Sequence, residues 1–399
     1  MQAKDFRKDF PLLEQITYLD SATITLVPQS LLERMKSHYE EYAGIPQRGL
    51  HKLAIMANST YEKCRKKIAD FIGGVRENVV FCPNTAFGTG IGLSTIKFSP
   101  LDQIISSKTE HHSFILPIMQ KSKSEGLKLK FLDAPSGKIS LDSLDKALNE
   151  KVKLVALGHT SLATGILLDL KELSKIVHEH GAFLAIDASR TIGHFPINVR
   201  EFDIDLLICN GSIGLFGPQG SGFVYTSDKI DHDKVLIAGA GSVIDVEPNF
   251  YSLEKFPHRY EPDTLNVIAQ AIMTEGIHLI EKIGMEQIRH HEIKLIQRLI
   301  DNLETIENLK IFGPTKASIR APIIGFKVKT INCHDIAMFL DEISSIAVRS
   351  GMLCAHMLMK ELGTYKEGGV VQASTHFYNT REDIDQLVET LNEIVQTFS

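Results

Sequence analysis

The feature that most constrains this chain is a series of short β-branched runs, several of them separated by helical patterns. They are VVFC (79–82), QIISS (103–107), KLKFL (128–132), VKLVALG (152–158), AFLAID (182–187), DLLIC (205–209) and SGFVYT (221–226). Such runs predict buried strands. Between two of them, LLDLKELSKIVHEHG (167–181) places Leu167, Leu170, Leu173, Ile176 and Val177 on one helical face, with Gly181 as a stop. Alternation of strand and helix predicts an α/β fold with a mostly parallel, doubly wound sheet. Ligands of such sheets sit at the carboxyl ends of the strands.

The pattern changes after about residue 258. Residues 265–305 predict a long helical stretch. Strands are expected near 309–312, 322–328, 346–349 and 370–375, with a helix at 334–342. The segment 380–397 predicts an amphipathic helix capped by Thr380. We therefore expect a large α/β domain over 20–258 and a smaller α+β domain from 1–19 and 259–399.

A net charge of −6 argues against a broad nucleic-acid surface, which needs a basic excess to neutralise phosphates. No apolar run approaches the ~20 residues needed to span a bilayer. The charged opening MQAKDFRKDF predicts no secretion signal. The cysteines at 64, 82, 209, 333 and 354 lack metal-type pairing, and a sparse, odd set fits a reducing cytoplasm.

Several residues can carry chemistry, and each also has an ordinary explanation. Asp187 ends a strand run, where a carboxylate can hold a protonated ring nitrogen or a metal, or cap the turn that follows. His111 and His112 follow another run. An imidazole there can stack on an aromatic ligand and move a proton, or serve as a polar loop residue. Cys354 lies between a short strand and a helix, as a nucleophile or a half-buried small hydrophobe. Arg349 can grip a carboxylate or lie solvated. The glycine-rich NGSIGLFGPQGSGFVY permits close backbone approach to a ligand, yet matches neither a Walker loop nor the dinucleotide fingerprint.

In order along the chain, ITYLDSATIT, RGLHKLA, TYEKCRKKIADFIGG, VVFCPNTAFG, IISSKTEHHSFILP, HEHGAFLAIDASRTIGHFPINV, LFGPQGSGFVY, RYEPDTLN, AVRSGMLCAHMLMKELG and ASTHFYNTREDIDQLVETL resemble the class V aminotransferase superfamily. These are pyridoxal-phosphate (PLP) proteins of fold type I, and the SUF-type cysteine desulfurases are the most similar group. The resemblance implies a seven-stranded, mostly parallel sheet with helices on both faces. It implies that Asp187 pairs with the pyridine nitrogen of PLP and that His111 stacks on the ring. Thr85 falls among the cofactor contacts. Cys354 matches the mobile-loop cysteine that carries sulfur as a persulfide, and Arg349 an arginine beside that loop. Thr264 matches a threonine reaching the cofactor phosphate of a neighbouring subunit, which implies a homodimer.

This chain also departs from the family pattern. Aligned on LFGPQG, Gly214 stands where the family has its Schiff-base lysine, and no lysine lies between Lys175 and Lys229. Ile213 and Gly211 replace phosphate contacts, and Ala86 replaces a second threonine after Thr85. Leu162 and Arg190 replace the asparagine and glutamine that serve the ring oxygen, and Gln372 replaces the substrate-binding arginine. Arg190 and Arg349 leave the pocket cationic, so an anion can still bind. Two expectations follow. One is a pseudoenzyme or sulfur-accepting subunit, working beside an active paralogue or sulfur-transfer partner. The other is an enzyme of altered chemistry that binds PLP or another anion non-covalently and acts on an amino acid such as L-cysteine.

Overall fold

The structure, a computed structural model, describes residues 2–41, 44–231 and 234–398. After a short strand β1 (Thr17–Tyr18) come β2 (Val79–Phe81), β3 (Gln103–Ser107), β4 (Lys128–Leu132), β5 (Val152–Gly158), β6 (Phe183–Asp187), β7 (Leu206–Asn210) and β8 (Gly222–Thr226). Strands β2 to β8 form a seven-stranded sheet in the order β2-β8-β7-β6-β5-β3-β4. The β4–β3–β5–β6–β7 run is parallel, and β8 lies antiparallel to both β7 and β2. The central strands are buried on both faces because helices cover both.

The helix expected at 167–181 is shorter, Leu170–Glu179. Asp169 sets its start by accepting from the N–H groups of Lys171 (3.0 Å) and Glu172 (3.1 Å). Leu167 instead bridges to Thr160. Gly181 ends the turn with φ +73.

A hairpin that the sequence pattern did not announce follows, β9 (Val243–Glu247) and β10 (Phe250–Leu253), with Ile244, Val246, Phe250 and Tyr251 exposed. The expected long helical stretch is two helices, Val267–Ile283 and Met285–Leu303. Gly284 separates them at φ +92, a conformation that costs a residue without a Cβ little. Then β11 (Leu309–Phe312), β12 (Ile323–Val328), β13 (Ile346–Ala347), β14 (Arg349–Gly351) and β15 (Val370–Ser374) follow. Four of these make an antiparallel sheet, β11-β12-β15-β14, while β13 pairs in parallel with β1.

The N-terminal segment joins both sheets. Phe6 and Phe10 pack against Phe216, Phe377 and Tyr378, whereas Leu19 enters the cluster under the four-stranded sheet. The last helix, Arg381–Phe398, has a reciprocal cap. Asp383 N–H donates to the Thr380 hydroxyl (3.4 Å), and Thr380 N–H donates to the Asp383 carboxylate (2.9 Å). Among the described residues, no helix is long and apolar enough to cross a membrane, and no group of three or more side chains could hold a metal ion.

Candidate functional site

The carboxyl ends of β3, β5 and β6 lie side by side, and the site is built there. Asp187 ends β6 opposite Gly158 of β5. It is buried, and its Oδ1 accepts from the Ser189 N–H (2.9 Å) and hydroxyl (2.6 Å). The Ser189 hydroxyl also lies 3.0 Å from that of Thr85, the first residue of the helix Thr85–Thr95. A carboxylate is thus linked through a serine to a helix N-terminus.

His111 follows β3 and caps the helix His112–Glu125, where its Nδ1 accepts from the Ser113 N–H (3.1 Å). That bond leaves the proton on Nε2 of the neutral ring. Burial, with the charges of Arg190, Arg349 and His112, pushes His111 down to about 2.

Arg190 lies two residues after the Asp187 turn on the same loop. It is only 8% exposed. Its Nε donates to the Ala22 carbonyl (3.1 Å), and its two Nη atoms have no protein partner among the described residues. Burial lowers its affinity for its proton, against the opposing pull of Asp187. Arg349, on β14, donates to the Thr23 hydroxyl (3.2 Å) and approaches the Cys354 sulfur at 3.1 Å. Cys354 is exposed, and both it and Leu353 have left-handed backbones, φ +53 and +51. The Cys354 carbonyl accepts from the His112 N–H (2.8 Å), which ties this loop to the end of β3.

Asp187, Thr85, His111, Arg190, Arg349 and Cys354 therefore share one neighbourhood. Thr264 does not join them within the chain. It is exposed and lines a separate, largely apolar cavity of about 260 Å³ with Phe81, Phe87 and Leu236. Gln372 is fully buried on β15, its Nε2 turned to the Leu162 carbonyl.

Gly214 has φ +82, and its N–H donates to the Thr25 hydroxyl (2.9 Å). A Cβ there would lie 2.3 Å from the Ile192 carbonyl oxygen. The packing is reciprocal, since a Cβ on Gly193 would lie 2.2 Å from the Gly214 carbonyl. Lys108, one residue beyond β3, turns its ammonium away to Asp133 (2.5 Å) and Glu361 (3.0 Å).

Two acidic residues were not singled out from the sequence. Asp20, partly buried, is raised by burial against the pull of Thr23, Arg349 and Arg190. Glu110 sits beneath the site and accepts from the Ser107 hydroxyl (2.5 Å) and the Gly158 N–H (2.8 Å). Burial is the main cause that pushes it up to about 7, and Asp187 adds to it. The only signal was its place beside His111 in KTEHHSF. A raised carboxyl contributes most stability below its unfolded value and loses it as pH rises through the folded one. At roughly 1.4 kcal/mol per pH unit, Glu110→Gln is expected to gain up to ~3 kcal/mol at about pH 8 and little at about pH 4. Urea unfolding across pH checks this, and equal stability changes at both ends would refute it.

The class-V aminotransferase family model matches residues 17–387. A probable cysteine desulfurase of Pyrococcus abyssi is 35% identical over 399 residues, covering 99% of this chain and 98% of that protein. A probable cysteine desulfurase of Methanothermobacter thermautotrophicus is 33% identical over 396 residues, with coverage of 99% and 98%. The apo structure of a cysteine desulfurase from Thermococcus onnurineus superimposes with a TM-score of 0.94 at 34% identity, covering 100% of this chain and 99% of that one. The order of the strands, the placement of Asp187 and His111 at their ends, and these matches along nearly the whole chain agree: the chain belongs to the class-V aminotransferase family and is cysteine desulfurase-like.

Proposed function

We propose that this chain is a desulfurase-like protein that has left lysine-based PLP chemistry and retains Cys354 as a sulfur carrier. The observation that carries this reading is Gly214. By the sequence resemblance it takes the family's lysine position; it has no amine, and its backbone packs against Ile192 with no room for a side chain. The one lysine adjoining the strand end, Lys108, is committed to two carboxylates. A covalently held PLP does not fit these residues, and no step proposed here runs through it.

The remaining groups are arranged for a small anion. Arg190 and Arg349 supply positive charge, His111 offers a neutral Nε2–H, and Cys354 brings a thiol to Arg349. In this reading the protein accepts sulfur on Cys354, beside an active paralogue or another sulfur-transfer partner, as a cytoplasmic homodimer.

The open Nη atoms of Arg190 and the placement of Asp187 and His111 favour one second reading, in which an aromatic anion such as PLP binds without a covalent link and an amino acid is the substrate.

The test is a PLP titration of the purified protein, followed by absorption, with and without L-cysteine. The expected result is no lysine-bound cofactor band and no alanine or sulfide. Turnover of L-cysteine would overturn the first reading. Binding without a covalent band would move the assignment to the second.

A further inference from the structure

The arrangement around Cys354 has an asymmetry that carrying sulfur between proteins does not require. Arg349 is at the surface and touches the sulfur. Arg190 is buried and anchored through Nε, and its two Nη atoms have no hydrogen-bond partner among the described residues. Burying a guanidinium costs free energy unless its donors are satisfied. No hydrogen bond from a described residue reaches these two donors, so they are open to an anion's oxygens. The two neighbouring carboxyls offset this charge only in part. Asp187 Oδ1 is already engaged, accepting from the Ser189 N–H and hydroxyl, and burial raises Asp20 against the pull of Thr23, Arg349 and Arg190.

A thiol beside a pair of arginines fits a substrate with two ends, a sulfur to be attacked and an oxyanion to be held. We propose that Cys354, Arg349 and Arg190 form a sulfurtransferase site for sulfane-sulfur donors with an oxyanion leaving group, of the thiosulfate type. The inference deepens the sulfur-carrier reading above and rests on it. It also supplies sulfur to Cys354 without PLP.

The step balances. The Cys354 thiolate attacks the outer sulfur of thiosulfate. A new S–S bond forms on Cys354 as the donor's S–S bond breaks, and its electron pair leaves with sulfite. The products are a cysteine persulfide anion and sulfite, with total charge unchanged and no external oxidant or reductant. Arg190 holds the sulfonate oxygens, and charge stays on them as sulfite departs. Arg349 lies against the attacking sulfur. A thiophile such as cyanide or a small thiol then removes the terminal sulfur and regenerates the thiolate.

The rest of the chain makes the reaction readable at one position. Cys64, Cys82, Cys209 and Cys333 are buried, and burial raises each above its ordinary value. They are held as inert thiols. Cys354 is the exposed cysteine.

The experiment incubates the full-length, PLP-free protein with thiosulfate, measures sulfite release, and locates the added sulfur by mass spectrometry. One sulfur atom is expected on Cys354, with one sulfite per chain before the thiophile is added and repeated turnover with cyanide after it. Cys354→Ser should abolish both. Arg190→Gln should slow sulfite release roughly ten- to hundredfold, the range for one lost charge-assisted contact, chiefly through the thiosulfate concentration needed. Because Arg190→Gln can also disturb folding, the wild-type protein provides a second measurement. Sulfate at constant ionic strength should compete with thiosulfate. Absence of the adduct, an adduct on a buried cysteine, or no competition by sulfate would each overturn the proposal. The outcomes stay separable from those of the PLP titration. A protein that turns over L-cysteine yet also takes sulfur from thiosulfate would defeat the earlier reading and keep this one.

Discussion

Gly214→Lys is expected to lower stability by roughly 2–5 kcal/mol and to yield no lysine-bound PLP. The cost has two sources. The backbone at φ +82 disfavours any residue with a Cβ. The Cβ itself would meet the Ile192 carbonyl oxygen at 2.3 Å, which is backbone and cannot swing aside. Gly214→Ala should show most of the same loss, because the obstruction begins at the first carbon. Urea unfolding of both variants, with absorption spectra in the presence of PLP, checks the argument. A Gly214→Lys protein as stable as the parent, with a lysine-bound cofactor band, would refute it. Relaxing the contact would require residues 192–193 and 213–214 to move together, since each glycine makes room for the other's carbonyl.

The largest single loss of stability should come from Glu261→Ala, about 3–5 kcal/mol, because it removes the fully buried partner of a buried charge and leaves Arg65 only the more exposed Glu62, at 3.2 Å. Arg65 and Glu261 are 1% and 4% exposed, and their side chains pair through two bonds of 2.7 and 2.8 Å. Glu261 also accepts from the Phe81 N–H (2.8 Å), while Arg65 donates to the Val79 carbonyl (2.6 Å) and lies over the rings of Tyr61 and Phe81. The pair thus fixes β2, an edge of the seven-stranded sheet. Burial alone would raise Glu261, but the charge and hydrogen bonds of Arg65, helped by His258 and the Phe81 N–H, hold it below the ordinary carboxylate range. A depressed carboxyl stabilises above its unfolded value and loses that contribution as pH falls through the folded one. The Glu261→Ala deficit should therefore be full at neutral pH and shrink in acid. Replacing both partners by apolar residues of similar volume should cost less than removing Glu261 alone. A deficit that does not change with pH would count against the ion pair as its source.

The large sheet was legible in the sequence because parallel strands buried on both faces read as continuous apolar runs, and each expected run in it became a strand within a residue or so. The break at Gly284 was less legible. Apolar periodicity continues on both sides of it, and only the backbone sign distinguishes a hinge from a tolerated glycine. At the site, Asp187 and His111 were legible as polar residues after apolar runs, and Cys354 as a nucleophile between a short strand and a helix. Asp20 and Ser189 were not, because their roles come from contacts with distant or adjoining backbone that no local pattern records. Thr264, assigned by resemblance, lies away from Asp187 within the chain, and a role there depends on a second subunit. The mutual fit of Gly193 and Gly214 could not be read at all, since two glycines in separate motifs reveal their relation only when the backbones meet.

The first twenty-five residues have a consequence for how the molecule comes to exist. They emerge well before their partners, which lie more than three hundred residues further along the chain. Tyr18 sits beside Ala347, Asp20 beside Ser374, and Arg7 holds Asp383. The Ala22 carbonyl that anchors Arg190 and the Thr23 hydroxyl that receives Arg349 belong to this same segment. On the ribosome, the seven-stranded sheet can assemble while the segment waits unpaired, because loop closure over so long a separation is paid before its contacts return anything. The pocket around Arg190 and Arg349 is therefore completed only after residues 346–383 have emerged and clasped residues 7–23. A nascent chain stalled before residue 345 would carry the whole large sheet and no finished site.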